Sequence, residues 1–153
     1  MTKELELYID GACHGNPGPA AIGVAVMKYG KVVKKISQDI GQGTNNIAEY
    51  TALIFGLQEA LIQKAEKVRV HTDSELLYHQ IKGTYKIKNE NLKFLHAQVK
   101  HLLEGFKTIE MKYIPREENK EADNLAAKAL QKEQAKMVAP MFTIGEESPS
   151  SEG

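Results

Sequence analysis

Residues 5–36 read LELYIDGACHGNPGPAAIGVAVMKYGKVVKKI, and this stretch predicts three consecutive β-strands. Apolar residues alternate with more polar ones from Leu5 onward, which is the period-two pattern of a half-buried strand ending at Gly11. Two prolines and two glycines in residues 15–19 predict a turn, because proline has no backbone N–H to donate. Two further apolar runs flank Gly30, a pattern that is typical of a hairpin. The expected product is three antiparallel strands in succession.

Helical and strand patterns alternate through the rest of the chain. A helix is predicted from Ile47 to about Lys64, with Asn45 or Asn46 as its N-cap. The later elements are a strand, two helices, a strand and a final helix capped by Asn119, at residues 67–72, 74–81, 92–103, 109–114 and 122–130. A strand, a crossover helix and a parallel strand form a right-handed unit. The pattern therefore predicts an α/β fold, with a mixed sheet flanked by helices.

Length and composition are those of one small domain. The chain has 153 residues, of which 42% are hydrophobic and 26% charged, and no apolar run approaches the roughly 20 residues needed to cross a bilayer. No secretion signal is visible, so a cytoplasmic monomer without a membrane partner is expected. Residues 1–137 are predicted to form the folded domain. Residues 138–153, rich in Pro, Ser and Glu, are predicted to form a flexible or docking tail.

The charges are balanced overall but not along the chain. Lys and Arg number 20, as do Asp and Glu, yet the segment Ile81 to Lys120 carries nine basic residues against five acids. A basic segment of this kind is typical of a phosphate-binding surface, although a solvated helix face is the commoner explanation. The single cysteine, Cys13, excludes an internal disulfide and a thiolate cluster for zinc.

Four acidic side chains stand where the predicted elements begin or end. Asp10 and Asp73 each stand at the end of a predicted strand, and Glu49 and Asp123 each fall in the first turn of a predicted helix. Ligands usually bind at the edge where the strands of such sheets end, so these acids are expected to converge there. Carboxylates held that close would repel one another unless a cation neutralised them. The alternative for each acid alone is a capping or surface carboxylate.

An all-oxygen ligand set favours a hard cation, Mg²⁺ with Mn²⁺ as a substitute, and disfavours zinc. Two such ions about 4 Å apart can ionise an attacking water and stabilise the departing oxygen in a displacement at phosphorus. The acids therefore predict a site with two metal ions that hydrolyses phosphodiesters without a covalent intermediate.

The four acids lie in segments that resemble the signature motifs of type I ribonucleases H. The resemblance covers roughly residues 5–130 in the family's order. The four segments are Tyr8-Ile9-Asp10-Gly11-Ala12-Cys13-His14-Gly15-Asn16-Pro17-Gly18-Pro19, Thr44-Asn45-Asn46-Ile47-Ala48-Glu49, Thr72-Asp73-Ser74 and Asn119-Lys120-Glu121-Ala122-Asp123. The resemblance implies the family's mixed five-stranded sheet, with three antiparallel strands followed by parallel ones. It also implies a catalytic domain that cuts the RNA strand of RNA/DNA hybrids endonucleolytically, leaving 5′-phosphate and 3′-hydroxyl ends.

The resemblance also assigns roles to the four acids. Asp10 would bridge both ions, and Asp123 would help hold the ion that activates water. Glu49 and Asp73 would hold the other ion. In the family the glutamate also accepts a hydrogen bond from a ribose 2′-hydroxyl, a group that RNA has and DNA lacks.

Further positions match residues that contact the hybrid in the family. Asn16 and Asn45 match contacts to the minor groove, where an amide can donate and accept at once. Turn formation and helix capping are their structural alternatives. Thr44 resembles part of a pocket for a phosphate of the DNA strand, and Asn89 is a second candidate for that pocket.

One motif departs from the family. Many members carry a histidine in the loop before the last acid, whereas this chain has none between Tyr113 and Asp123. Arg116 is the candidate replacement, because an arginine can bind the scissile phosphate. The neighbouring Glu117 and Glu118 are the alternatives.

Two other functions stay open from the sequence. One is a binding module of the same fold that grips nucleic acid without cutting it. The other is a metal-dependent hydrolase of another substrate, such as a DNA-directed nuclease or a phosphatase. The four acids argue against the first, and Asn16 with residues 44–46 favours the hybrid over other substrates.

Overall fold

The structure, a computed structural model, describes the backbone of residues 3–147 and the side chains of residues 3–136. The strands are β1 (Glu4–Cys13), β2 (Gly18–Lys28), β3 (Lys31–Gly43), β4 (Lys67–Thr72) and β5 (Thr108–Tyr113). The α-helices are α1 (Asn45–Ile62), α2 (Glu75–Lys82), α3 (Glu90–Leu103) and α4 (Lys120–Glu147). A single 3-10 turn, Arg116–Glu118, precedes α4.

The strands form one mixed sheet in the order β3-β2-β1-β4-β5. β1 is antiparallel to β2, and β2 is antiparallel to β3, as the three successive strand patterns predict. β4 is parallel to both β1 and β5. In the central pair Ile9 lies opposite Thr72, so the residues that follow them in the chain are neighbours at one edge of the sheet. The predicted five-stranded α/β architecture is confirmed.

The start of α1 differs from the prediction. β3 continues to Gly43, which pairs with Gly18. Thr44 is therefore the N-cap, with an extended backbone (φ −117°, ψ 170°) and a hydroxyl that accepts from the Ile47 N–H at 3.2 Å. The predicted caps Asn45 and Asn46 are wrong, because both already lie inside the helix. A threonine oxygen satisfies one of the N–H groups that the first turn leaves without a partner.

The core lies between the sheet and α1. Along β1 and β2, Leu7, Ile9 and Val24 are fully buried, and their side chains contact Gly56 of α1. Glycine at that position lets the helix lie directly on the strands, since a Cβ there would already be 3.1 Å from the nearest Leu7 methyl carbon.

α4 covers the opposite face of the sheet. A Cβ on Gly23 would lie 2.6 Å from the Ala126 nitrogen, and the Ser37 hydroxyl donates to the Leu125 carbonyl at 2.6 Å. Gly23 pairs with Asp10, whose neighbour Ile9 faces α1, so the alternation along β1 puts the two helices on different sides.

The last helix is longer than predicted. α4 runs to Glu147, so the backbone of residues 138–147, which had been predicted as tail, is helical. The side chains after residue 136 and all of residues 148–153 lie outside the described part, and a domain boundary near residue 137 stays a prediction. Among the helices of residues 3–147, none combines the length and the apolar character needed to cross a membrane.

Candidate metal centre

Three of the four predicted acids meet at the edge of the sheet. Asp10, Glu49 and Asp73 each offer a carboxylate oxygen within 4.8 Å of the other two. Asp10 and Asp73 are neighbours because the residues before them, Ile9 and Thr72, are the last pair between the adjacent parallel strands β1 and β4. Strand pairing thus brings together two residues, Asp10 and Asp73, that lie far apart in the sequence. The arrangement gives one small cluster of oxygen ligands.

Glu49 reaches this cluster through an unusually close approach of α1 to β1. A Cβ on Gly11 would lie 2.6 Å from both the carbonyl carbon and the Cβ of Ala48, the residue before Glu49. Glycine at position 11 therefore allows the helix to lie directly against β1, and the Gly11 backbone acts to lower the pKa of Glu49, against the larger effect of burial. The prediction that Glu49 lies in the first turn of α1 is wrong, because the helix begins at Asn45 and its first turn contains no acid.

Asp123 lies in the first turn of α4, as predicted, but stands beside the other three acids and is not a member of the 4.8 Å cluster. Its carboxylate is near enough to Asp10 to raise the pKa of that group. Its Oδ1 is 3.7 Å from a guanidinium nitrogen of Arg116, whose side chain is 80% exposed. The position of Asp123 is thus at the solvent side of the cluster, next to a cation.

Without a cation, the site disfavours the ionised form of two of its carboxyl groups. Burial raises the pKa of the Asp10 carboxyl from 3.8 to about 7, and the charge of Asp73 and the side chain of Asp123 act in the same direction. The pKa of Glu49 is raised well above its ordinary value, first by burial and then by the charges of Asp10 and Asp73. Ionising carboxyl groups with these pKa values together costs free energy. A bound cation would favour their ionised form and offset this cost.

A buried oxygen without a partner also fits a bound cation. Glu49 Oε1 is buried and accepts no hydrogen bond from the described residues. A buried acceptor left without a partner costs free energy, and a metal ion is one partner that would satisfy it. The candidate metal ligands are all carboxylate oxygens, which hard divalent cations prefer. The residues present therefore fit a divalent metal.

Asn119 is a residue of this site whose role the sequence did not reveal. It lies at the predicted N-cap position, directly before α4, although its side-chain oxygen makes no capping hydrogen bond with the described residues. Its Nδ2 instead donates to the Ile9 carbonyl at 2.8 Å and to Asp73 Oδ2 at 3.3 Å. Both partners lie far away in sequence, and the signal available was its place four residues before Asp123 in the last motif.

Three of the predicted substrate-binding residues lie together at the start of α1. The Asn45 N–H donates to Asn16 Oδ1 at 3.0 Å, which ties the loop between β1 and β2 to the helix. This bond uses the oxygen of the Asn16 amide and leaves its NH₂ group available. Both asparagines are exposed, whereas the adjacent Thr44 is half-buried and occupied in capping the helix.

Asn89, the second candidate for the phosphate pocket, has a structural role of its own. It caps α3, because its side-chain oxygen accepts from the Leu92 N–H at 3.1 Å. Its side chain is exposed, so capping and contact with a ligand are compatible.

Comparison with known proteins extends over most of the chain. A family model described as reverse transcriptase-like matches residues 8–129. A bifunctional protein of Mycobacterium tuberculosis is 37% identical over 155 aligned positions, which cover 98% of this chain and 43% of that protein. The chain thus spans about two fifths of the length of that curated relative.

Solved structures are also similar to this chain over most of its length. The crystal structure of RNase H1 from the halophilic archaeon Halobacterium salinarum has a TM-score of 0.83 at 35% identity, covering 84% of this chain and 98% of that one. LC11-RNase H1, isolated from compost, was solved in complex with an RNA/DNA hybrid. It has a TM-score of 0.80 at 37% identity, covering 85% of this chain and 99% of that one.

Proposed function

The chain belongs to the reverse transcriptase-like family of ribonuclease H domains, and we propose that it is a metal-dependent endoribonuclease that hydrolyses the RNA strand of RNA/DNA hybrids. The products would carry 5′-phosphate and 3′-hydroxyl ends. The observation that carries this proposal is the cluster of Asp10, Glu49 and Asp73, with three oxygens within 4.8 Å at the edge of the sheet. The relative that was solved with an RNA/DNA hybrid supports the choice of substrate.

Two Mg²⁺ ions, which Mn²⁺ could replace, are proposed as the cofactors. Asp10 would bridge the two ions, Glu49 and Asp73 would hold one of them, and Asp123 would help hold the other. When bound, such ions lower the pKa of an attacking water and stabilise the departing oxygen. The raised pKa values of Asp10 and Glu49 support this assignment, because binding a cation would release protons that the fold otherwise retains.

Recognition of the RNA strand is proposed to rest on contacts in the minor groove. Glu49 would accept a hydrogen bond from a ribose 2′-hydroxyl, which distinguishes RNA from DNA at the position that is cut. Asn16 and Asn45 would contact the groove beside it, and their hydrogen bond supports a shared surface. Thr44, together with Asn89, would contact a phosphate of the DNA strand.

Arg116 is proposed to bind the scissile phosphate in place of the histidine that this chain lacks. Its exposed guanidinium next to Asp123 supports this role. Replacing Arg116 with Ala should lower turnover roughly tenfold or more, as loss of a charge-stabilising donor does. Unchanged turnover in the Arg116→Ala variant would remove Arg116 from the mechanism.

The proposal is tested by incubating the protein with labelled RNA/DNA, RNA/RNA and DNA/DNA duplexes in Mg²⁺, Mn²⁺ or chelator. We expect cleavage of the RNA strand of the hybrid alone, dependent on the metal and abolished by Asp10→Asn. The matched control is Asp39→Asn, which makes the same change on the edge strand β3 and should leave cleavage intact.

Other outcomes separate the alternatives. Binding of the hybrid without cleavage would indicate a binding module, and cleavage of DNA/DNA would indicate a nuclease of different specificity. Light scattering in the same buffer measures the oligomeric state, for which a monomer is expected.

A further inference from the structure

Asn119 connects three segments that build the metal site. It lies directly before α4, and its backbone carbonyl accepts from the Asp123 N–H at 3.1 Å. Its side-chain nitrogen donates to the carbonyl of Ile9, the last residue of β1 that pairs with β4, and to the Asp73 carboxylate after β4. Asn119 is 1% exposed, so the bond to the Ile9 carbonyl is buried, and the bond to the Asp73 carboxylate is partly buried. A single amide thus joins the ends of two strands to the start of a helix.

We propose that Asn119 is a positioning residue, which orients the Asp73 carboxylate for binding the divalent cation. This inference rests on the proposed function, since it assumes that Asp73 is a ligand. Groups that hydrogen-bond a metal ligand fix its orientation, and losing one typically weakens metal binding about 10- to 100-fold. Asp73 is only half-buried and follows the strand, so its side chain can rotate unless a neighbour holds it.

The chemistry of the amide suits this role. An NH₂ group can donate two hydrogen bonds at once, here to a carbonyl oxygen and to a carboxylate oxygen. An aspartate at position 119 could donate neither when ionised, and it would add a negative charge to a cluster that already holds three acids. An amide gives the cluster a donor without changing its net charge.

The oxygen atom of the Asn119 amide also indicates a bound ligand. Two buried side-chain atoms in the described part of the chain have no hydrogen-bond partner, Asn119 Oδ1 and Glu49 Oε1, and both belong to this site. Buried acceptors are nearly always satisfied by protein or by ordered water. Asn119 Oδ1 is therefore expected to accept from a water molecule held at the metal site.

The decisive measurement is the affinity for Mn²⁺ without nucleic acid, read by isothermal titration calorimetry. Asn119→Ala should bind Mn²⁺ about 10- to 100-fold more weakly than the unchanged protein. In a background that carries Asp73→Asn, the same change should have little further effect, because the two side chains act as one unit. Asn91→Ala, at an exposed position of α3, is the matched control and should bind Mn²⁺ normally.

Two results would overturn the inference. One is a folded Asn119→Ala protein with unchanged affinity for Mn²⁺. The other is an equal loss of affinity whether or not Asp73 is present, which would indicate a general effect on the fold. Circular dichroism establishes whether each variant is folded.

If Asn119→Ala does not fold, a crystal structure of the protein without substitutions, bound to Mn²⁺, tests the positioning role. It should retain the hydrogen bond from Asn119 to Asp73, with a water on Asn119 Oδ1. A structure in which Asp73 binds the metal while Asn119 has moved out of hydrogen-bonding distance would contradict the inference.

These measurements are independent of cleavage. A protein that cuts no hybrid, yet loses Mn²⁺ affinity on Asn119→Ala, would refute the proposed function and leave the positioning role intact. A protein that cuts the hybrid, with unchanged Mn²⁺ affinity in that variant, would give the reverse result.

Discussion

Individual carboxylates of the metal centre lie at positions where the fold alone disfavours their ionised form. Asp10 is 5% exposed, and Glu49 has an oxygen without a partner. The nearby cation Arg116 is paired with Asp123 and is largely exposed, so its charge is screened by solvent. Buried acids without a cationic partner cost stability in proportion to their ionisation. Function therefore explains these side chains better than stability does.

The stability of the metal-free protein should depend on pH in the direction that Asp10 dictates. Its pKa is 3.8 in the ordinary case and about 7 in the fold, so between these values the folded protein holds a proton that the unfolded chain releases. The free energy of unfolding is therefore highest at low pH and falls as pH rises through this window, by on the order of 4 kcal/mol. Glu49 acts in the same direction. Urea unfolding in chelator at each pH measures this loss.

The Asp10→Asn variant isolates the contribution of Asp10. Its free energy of unfolding should change less between pH 4 and pH 7 than that of the unchanged protein. Asp39→Asn should retain the full slope. Adding Mg²⁺ at pH 8 should stabilise the unchanged protein and not Asp10→Asn. Equal slopes in all three proteins would show that Asp10 does not carry the raised pKa.

Among the helices, α1 depends on how its start is joined to the sheet. Thr44 caps it, Asn16 holds the Asn45 N–H, and Gly11 lets its second turn approach β1. These three contacts fix the start of α1 and thereby the position of Glu49. The direction of the helix thus determines whether the third carboxylate reaches the other two.

Gly11→Ala should separate α1 from β1. The added methyl group would lie 2.6 Å from the Ala48 carbonyl carbon, and backbone must move to relieve the overlap. We expect a loss of about 1 to 3 kcal/mol in the free energy of unfolding, as for other overpacked sites. Cleavage of the hybrid should fall further than this instability explains, because Glu49 moves with the helix. Urea unfolding and single-turnover cleavage of the folded variant measure the two effects.

Gly43→Ala is the control for this change. Its Cβ would meet Ala20 Cβ at 3.5 Å, an ordinary contact, so stability and cleavage should stay near those of the unchanged protein. Normal cleavage by a folded Gly11→Ala protein would mean that the close approach at position 11 is not needed for the site.

The molecule as a unit is a sheet with α1 on one face and α4 on the other. Among the described side chains of α4, which end at residue 136, those in the core lie in the first half of the helix. The buried residues of this half are Ala122, Leu125, Ala126 and Ala129. They pack at the same end of the helix that carries Asp123, so folding of the core and placement of that acid depend on one segment. The predicted boundary near residue 137 lies beyond all of them.

A chain that ends at residue 137 should therefore fold and cut the hybrid. We expect its free energy of unfolding to stay within about 0.5 kcal/mol of the full chain, since no buried core residue is removed from the described part. A chain ending at residue 124 is the contrasting control and should not fold, because it lacks Leu125, Ala126 and Ala129. Thermal unfolding compares the three chains. A large loss of stability in the 1–137 chain would indicate that the following residues dock on the domain.

Sequence patterns alone were sufficient for the order of strands and helices, the mixed sheet and the acids at its edge. These features depend on residues that are close along the chain, such as the alternation in β1 and the helical spacing after Ile47. The motif segments around the acids indicated the family and, through it, the expected chemistry. Sequence therefore determined which elements form and which side chains belong to the site.

The tertiary structure decided how these side chains meet. Pairing of Gly43 with Gly18 extended β3 and moved the cap of α1 to Thr44. Contact between Gly11 and α1 set the reach of Glu49, and the role of Asn119 depends on a hydrogen bond to Ile9, 110 positions away. Such contacts are invisible in local periodicity, because their free energy is gained only when distant segments have already been brought together by the fold.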